Sequence, residues 1–108
     1  MEGAILFVEG RSDRLAIHHV YPHVEIICTN GTMSEYDLEQ LVEPYEEETL
    51  YTFFDRDASG DRLRAQFDAL FINATHLHVP PPIIEVAEIP PLVLSSIMKT
   101  TFKKKEGL

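Results

Sequence analysis

Four short apolar runs punctuate this chain, and the stretches between them carry apolar residues at helical spacing. Ala4–Glu9, Val24–Thr29 and Thr49–Phe54 show almost no polar alternation, which is the signature of strands buried on both faces. Thr75–Val79 is a fourth, shorter run. Between the first two, Ser12–Val20 reads as a helix that Pro22 helps to stop. Beyond a turn at Asn30-Gly31, Thr32 and Glu35 have the spacing of a capping box, with Thr32 as N-cap. Leu38, Leu41, Val42 and Tyr45 then form one helical stripe, which Pro44 should end or kink. A third helix is expected over roughly Gly60–Ala74, with Leu63, Phe67, Leu70, Phe71 and Ala74 on its apolar side. The order β-α-β-α-β-α-β predicts a parallel α/β sheet with right-handed crossovers and helices on both faces.

After Val79 the pattern changes. Pro80-Pro81-Pro82 predicts an extended, stiff connection. Ile83–Ile89 suits an added edge strand, and Pro90-Pro91 suits the first turn of a last helix over Leu92–Met98. Leu92, Val93 and Ile97 are too apolar for a free tail and should pack on the domain or on a second copy. Lys103-Lys104-Lys105 reads as a frayed tail. At 108 residues with no internal repeat, a single domain is expected over residues 1–108, with a core at 4–79 and an extension at 80–108. The one cysteine, Cys28, excludes an internal disulfide and reads as an inert core thiol. No run approaches the ~18 apolar residues of a membrane span, and no basic-then-apolar leader opens the chain, so no membrane association and a cytoplasmic location are expected. The net charge of −9 argues against sequence-independent coating of nucleic acid, which needs a basic face, but is compatible with a local site. Much of the acid lies in Glu35–Glu48, read as a solvated helix face and turn.

The candidate chemistry sits where the buried runs end. Ile5-Leu6-Phe7-Val8 delivers Glu9, and Tyr51-Thr52-Phe53-Phe54 delivers Asp55 and Asp57. Ligands of parallel sheets bind beyond the carboxyl ends of the strands. With period-two alternation Asp55 and Asp57 can share a direction while Arg56 points elsewhere. Glu9 joins them only if the first and third strands are neighbours, as in a 2-1-3-4 order. Carboxylates gathered so repel by about 1–4 kcal/mol per close pair, and a hard divalent cation with oxygen ligands, Mg2+ or Mn2+, relieves this. Gly10 and Gly60 permit tight turns and close approach of backbone to a phosphate. Asp57 also suits a helix cap, and Asp13 a stabilising first-turn acid. Arg11, Arg14, Arg56, Arg62 and Arg64 are candidate phosphate contacts. His18, His19, His23, His76 and His78 lack metal-ligand spacing as a set. Ser59 has no histidine placed to activate it. Glu85 and Glu88 are candidates to approach the site from the C-terminal segment.

"VEGRSD" contributes Glu9, Gly10 and Asp13; "DRDASGDR" contributes Asp55, Asp57 and Gly60; "TNGT" contributes Asn30 and Gly31. At these residues the chain resembles the Toprim domain, the metal-binding module of primases, topoisomerases, OLD-type nucleases and small ribosomal-RNA maturases. The resemblance spans about Ala4–Val79. It implies a Rossmann-like sandwich around a four-stranded parallel sheet ordered 2-1-3-4. It implies Glu9 as general acid/base, and Glu9, Asp55 and Asp57 as magnesium ligands. Gly10, Asp13, Asn30, Gly31, Arg56, Gly60 and Arg62 become the expected phosphate or substrate contacts. The implied activity is nuclease-like phosphoryl transfer on DNA or RNA. The acidic chain leaves little surface to grip such a substrate, which points to a protein partner or a homo-oligomer. One alternative is a metal-binding interaction module without catalysis. Another is a receiver-like phosphoacceptor domain, whose acceptor aspartate would fall at Asp55; against it, the first strand ends in Glu9-Gly10 and no strand delivers a lysine.

Overall fold

Strand β1 (Ala4–Val8) lies inside the sheet because both of its faces are apolar, and two parallel neighbours flank it. The computed structural model describes residues 3–102; the lysine run at 103–105 lies outside the described residues. β2 (Glu25–Cys28) pairs with one edge of β1, and β3 (Thr49–Phe53) with the other. β4 (Thr75–Leu77) pairs with the outer edge of β3. All pairs are parallel, and the order is β2-β1-β3-β4. The register sets Ile5 against Glu25 and Leu50, and Phe7 against Ile27 and Thr52.

Alternation along β1 builds two cores. Leu6 and Val8 face one layer with Ile17 of α1 (Arg11–Val20) and Leu94 and Met98 of α4 (Pro91–Phe102). Ile5 and Phe7 face the other, with Leu38 and Val42 of α2 (Glu35–Val42) and Leu63 and Phe67 of α3 (Ala58–Leu70). Successive strand residues point to opposite faces, so a run apolar at every position must be covered on both sides. In the second layer Phe67 meets Phe7 and Phe54, with ring centroids 5.2 and 5.7 Å apart. The buried polar side chain within a described strand is paired. The Thr52 hydroxyl, fully buried, meets Nδ1 of His76, whose Nε2 lies 2.8 Å from the Asp68 carboxylate. These contacts give His76 a structural place. No described helix is long and apolar enough to cross a membrane.

Four expectations are corrected. The cap of α2 is Ser34, whose Oγ accepts the Asp37 N–H at 3.1 Å, not Thr32. The Asn30-Gly31 turn, with both residues at positive φ (61° and 99°), displaces the helix start downstream. α3 begins at Ala58 because Asp57 takes the cap, and it ends at Leu70, short of Ala74. Ile83–Ile89 is no edge strand. Its polar groups go to the β3–α3 loop, where the Arg56 N–H donates to the Ile84 carbonyl at 2.7 Å, and Val86–Glu88 closes as a 3-10 turn. The proline run before it turns, with the Ile83 N–H donating to the Pro80 carbonyl, where an extended connection was expected. Pro44 does end α2, which passes into a 3-10 turn over Glu43–Tyr45. On α4 the packed side chains are Leu94 and Met98, with Ile97 half-buried. Leu92 and Val93 stand exposed.

Candidate functional site

Because β1 and β3 are adjacent and parallel, Glu9 and Asp55 leave the sheet at the same edge. The backbone ladder continues past β1 and β2. The Thr29 N–H donates to the Val8 carbonyl at 2.9 Å, and the Asn30 N–H donates to the Glu9 carbonyl at 2.7 Å. The Asn30-Gly31 turn therefore lies alongside Glu9. Both turn residues occupy the left-handed region, which asparagine and glycine tolerate best.

Glu9 is half-buried. Its Oε2 accepts the Ser59 hydroxyl at 2.7 Å, so the first turn of α3 orients it. Its Oε1 is buried and has no hydrogen-bond partner. Asp55 Oδ1 accepts the Val86 N–H at 2.8 Å, and Asp57 Oδ1 accepts the Gly60 N–H at 2.8 Å. Each aspartate thus commits one oxygen to the backbone and keeps the other. Gly60 is buried against Asp55 so closely that a Cβ there would fall 2.0 Å from the Asp55 carbonyl oxygen. The glycine serves the approach of α3 to the aspartate loop. Asp13 is buried at the start of α1, its carboxylate accepting the Gly10 N–H at 3.1 Å.

The electrostatics follow from this crowding. Burial pushes the Asp13 carboxyl up to about 6. The Asp55, Glu9 and Glu85 charges add to the rise, and the Gly10 N–H opposes it. Asp55 is also raised, first by burial and then by Asp57 and Glu88, while the Val86 N–H and Arg64 work the other way. Glu85 and Glu88 are exposed on the segment that Val86 ties to Asp55. Arg56 turns to this segment too, with its guanidinium donating to the Ile83 carbonyl at 2.8 Å. Arg62 is exposed on α3. Sequence reasoning gave no role to Ser59 or Val86, nor to Thr29, whose hydroxyl is buried without a partner beside β1. A backbone donor 31 positions away leaves no trace in the sequence.

These residues fit a magnesium ion. An orphaned buried carboxylate oxygen is costly unless a ligand meets it. Asp55 and Asp57 each keep an uncommitted oxygen, and like charges raise the proton affinities nearby. Among the described residues no three His, Cys, Asp or Glu side chains form a ready-made ligand cage. Magnesium does not need one, since it keeps several waters and takes one or two carboxylates plus substrate phosphates.

Comparisons with known proteins agree with the geometry. Residues 6–81 match the family model described as Toprim-like. The chain is 39% identical over 95 residues to the uncharacterized protein YusF of Bacillus subtilis (strain 168), a match that takes in 87% of this chain and 65% of that protein. The chain thus covers just under two thirds of that relative's length. Among solved structures it is similar to a small TOPRIM domain protein from Bacillus stearothermophilus, at 34% identity and a TM-score of 0.85, over 94% of this chain and 86% of that one.

Proposed function

This chain belongs to the Toprim-like family, and from that premise we propose that it binds Mg2+ at Glu9, Asp55 and Asp57 and acts on nucleic-acid phosphodiester bonds, alone or with a partner. The observation that carries the reading is that an orphaned, buried Glu9 Oε1 and a half-committed Asp55 carboxylate stand at the same sheet edge. The bound ion would supply Lewis-acid stabilisation of charge on a phosphate. The uncommitted oxygens of Asp55 and Asp57 would hold it together with Glu9, with manganese as a substitute of similar chemistry. Ser59 fixes the Glu9 carboxylate through Oε2 and leaves Oε1 to take or give a proton at a reacting oxygen. Gly31, on the same edge, would meet substrate phosphate through its backbone N–H, while the N–H groups of Gly10 and Asn30 are spent on Asp13 and the Glu9 carbonyl.

The test is calorimetric titration with magnesium together with cleavage of labelled DNA and RNA. Wild type should bind the ion, Asp55→Asn should bind it at least tenfold more weakly, and Glu9→Gln should abolish cleavage. Loss of cleavage with magnesium affinity reduced less than tenfold in Glu9→Gln would support the proton role. Magnesium binding without cleavage of either strand would identify a metal-binding module in place of a nuclease. No magnesium isotherm for wild type would overturn the reading.

A further inference from the structure

Beside the carboxylates lies a groove of about 430 Å3, lined by Arg56, Asp61, Arg64, His78, Val79 and Pro81. Two guanidinium groups and one carboxylate give it a positive balance in a chain of net charge −9. Both arginines are held from behind by backbone. Arg64 donates to the carbonyls of Phe54 and Asp55, at 3.2 and 3.3 Å, and pairs with Asp61. Arg56 donates to the Ile83 carbonyl, which occupies one of the five N–H donors of a guanidinium. Ordering a long side chain costs up to about 2 kcal/mol, and here the fold has already met that cost. A fixed guanidinium fork matches the oxygens of a phosphate. His78 is exposed and adds ring nitrogens, while Val79 and Pro81 supply an apolar wall.

The loop that carries Asp55 and Asp57 also carries Arg56, so the groove adjoins the carboxylate edge. We propose that this groove is a subsite for a backbone phosphate of a nucleic-acid strand, next to the phosphate that meets the carboxylates. The inference rests on the nucleic-acid reading above and adds the direction in which the strand leaves the site. It also assigns Arg64 and His78, in place of the outward-facing Arg62, to substrate.

The experiment uses the full chain and fluorescence anisotropy with labelled DNA and RNA oligonucleotides of one sequence, in millimolar calcium across a salt series. Arg56→Gln should bind about fivefold more weakly at ~0.1 M salt, with a log–log salt slope shallower by about 0.7, the loss of one phosphate contact on a single strand. His78→Glu, which breaks no backbone bond, should weaken binding as well. Lys99→Gln removes the same charge from exposed α4 and should leave the slope unchanged. Calorimetric magnesium affinity of Arg56→Gln should be no weaker than wild type, because a cation beside the carboxylates has been removed. A stronger effect on one oligonucleotide identifies the strand. Unchanged binding in both groove variants overturns the subsite, as does an equal loss with Lys99→Gln. Joint loss of magnesium and oligonucleotide in Arg56→Gln would mark a structural role and also overturn it. Wild type that binds magnesium but neither oligonucleotide overturns the subsite while leaving the metal site standing.

Discussion

Asp13 couples the candidate site to stability through a single proton. Its carboxyl sits at about 6 in the folded chain against 3.8 for an unperturbed aspartate. Between those values the folded state keeps a proton that the unfolded state has released. Its contribution is full below pH ~4 and is lost as pH rises through about 6. The chelated protein should therefore lose stability from this group between about pH 4 and pH 6.5. Asp13→Asn keeps an acceptor for the Gly10 N–H and removes the charge. It should flatten that decline and unfold at higher urea at pH 7, by about 1–3 kcal/mol. A variant less stable than wild type at pH 7 in chelator would mean that the buried charge is compensated. Gly60 makes a different case. Its place after the D-x-D was visible in sequence and suggested close approach to a phosphate, but its neighbour is the Asp55 carbonyl. Pattern marks a glycine's need for space without naming what fills it. Gly60→Ala should destabilise by about 1–3 kcal/mol, as forced overpacking does, and should weaken magnesium binding by shifting Asp55. Calorimetry of metal and fold together checks both.

At the level of elements, legibility followed burial. The strands that were read most closely are β1, apolar at every position, and β3, interrupted only by threonine, since only a doubly covered strand tolerates such composition. The 2-1-3-4 order, and with it the common edge for Glu9 and Asp55, was what the family resemblance implied, since an apolar β1 marks a strand covered on both faces without naming its neighbours. The misread segments are those whose shape depends on distant hydrogen bonds. Residues 83–89 have the composition of a strand, yet they bond to the β3–α3 loop and to the Asp55 side chain. On α4 the apolar residues Leu92, Val93, Leu94, Ile97 and Met98 nearly encircle the helix, and the sequence reading named Leu92, Val93 and Ile97 as its packing side without Leu94 and Met98. The structure instead buries Leu94 and Met98 against α1 and the sheet and leaves Leu92 87% exposed. Leu94→Ala should cost about 2–5 kcal/mol in urea unfolding. Leu92→Ala should stay within about 0.5 kcal/mol of wild type. Similar losses from both would mean that Leu92 is covered in solution by another surface.

For the whole molecule, the site is a meeting of separated pieces: Glu9 after the first strand, the Asn30-Gly31 turn after the second, the aspartates after the third, and Val86 beyond the fourth. The first three come together by sheet topology. The fourth does so by the bond from the Val86 N–H to Asp55. A ribosome makes Asp55 31 residues before it makes Val86, and α4, which completes one core, comes later still. During synthesis the aspartate loop therefore exists for a time without its backbone donor and without the carbonyls of Ile83 and Ile84 that fix Arg56. The finished carboxylate edge belongs only to a chain made at least as far as Val86, so a chain stopped before that point carries the acidic motif without the arranged site.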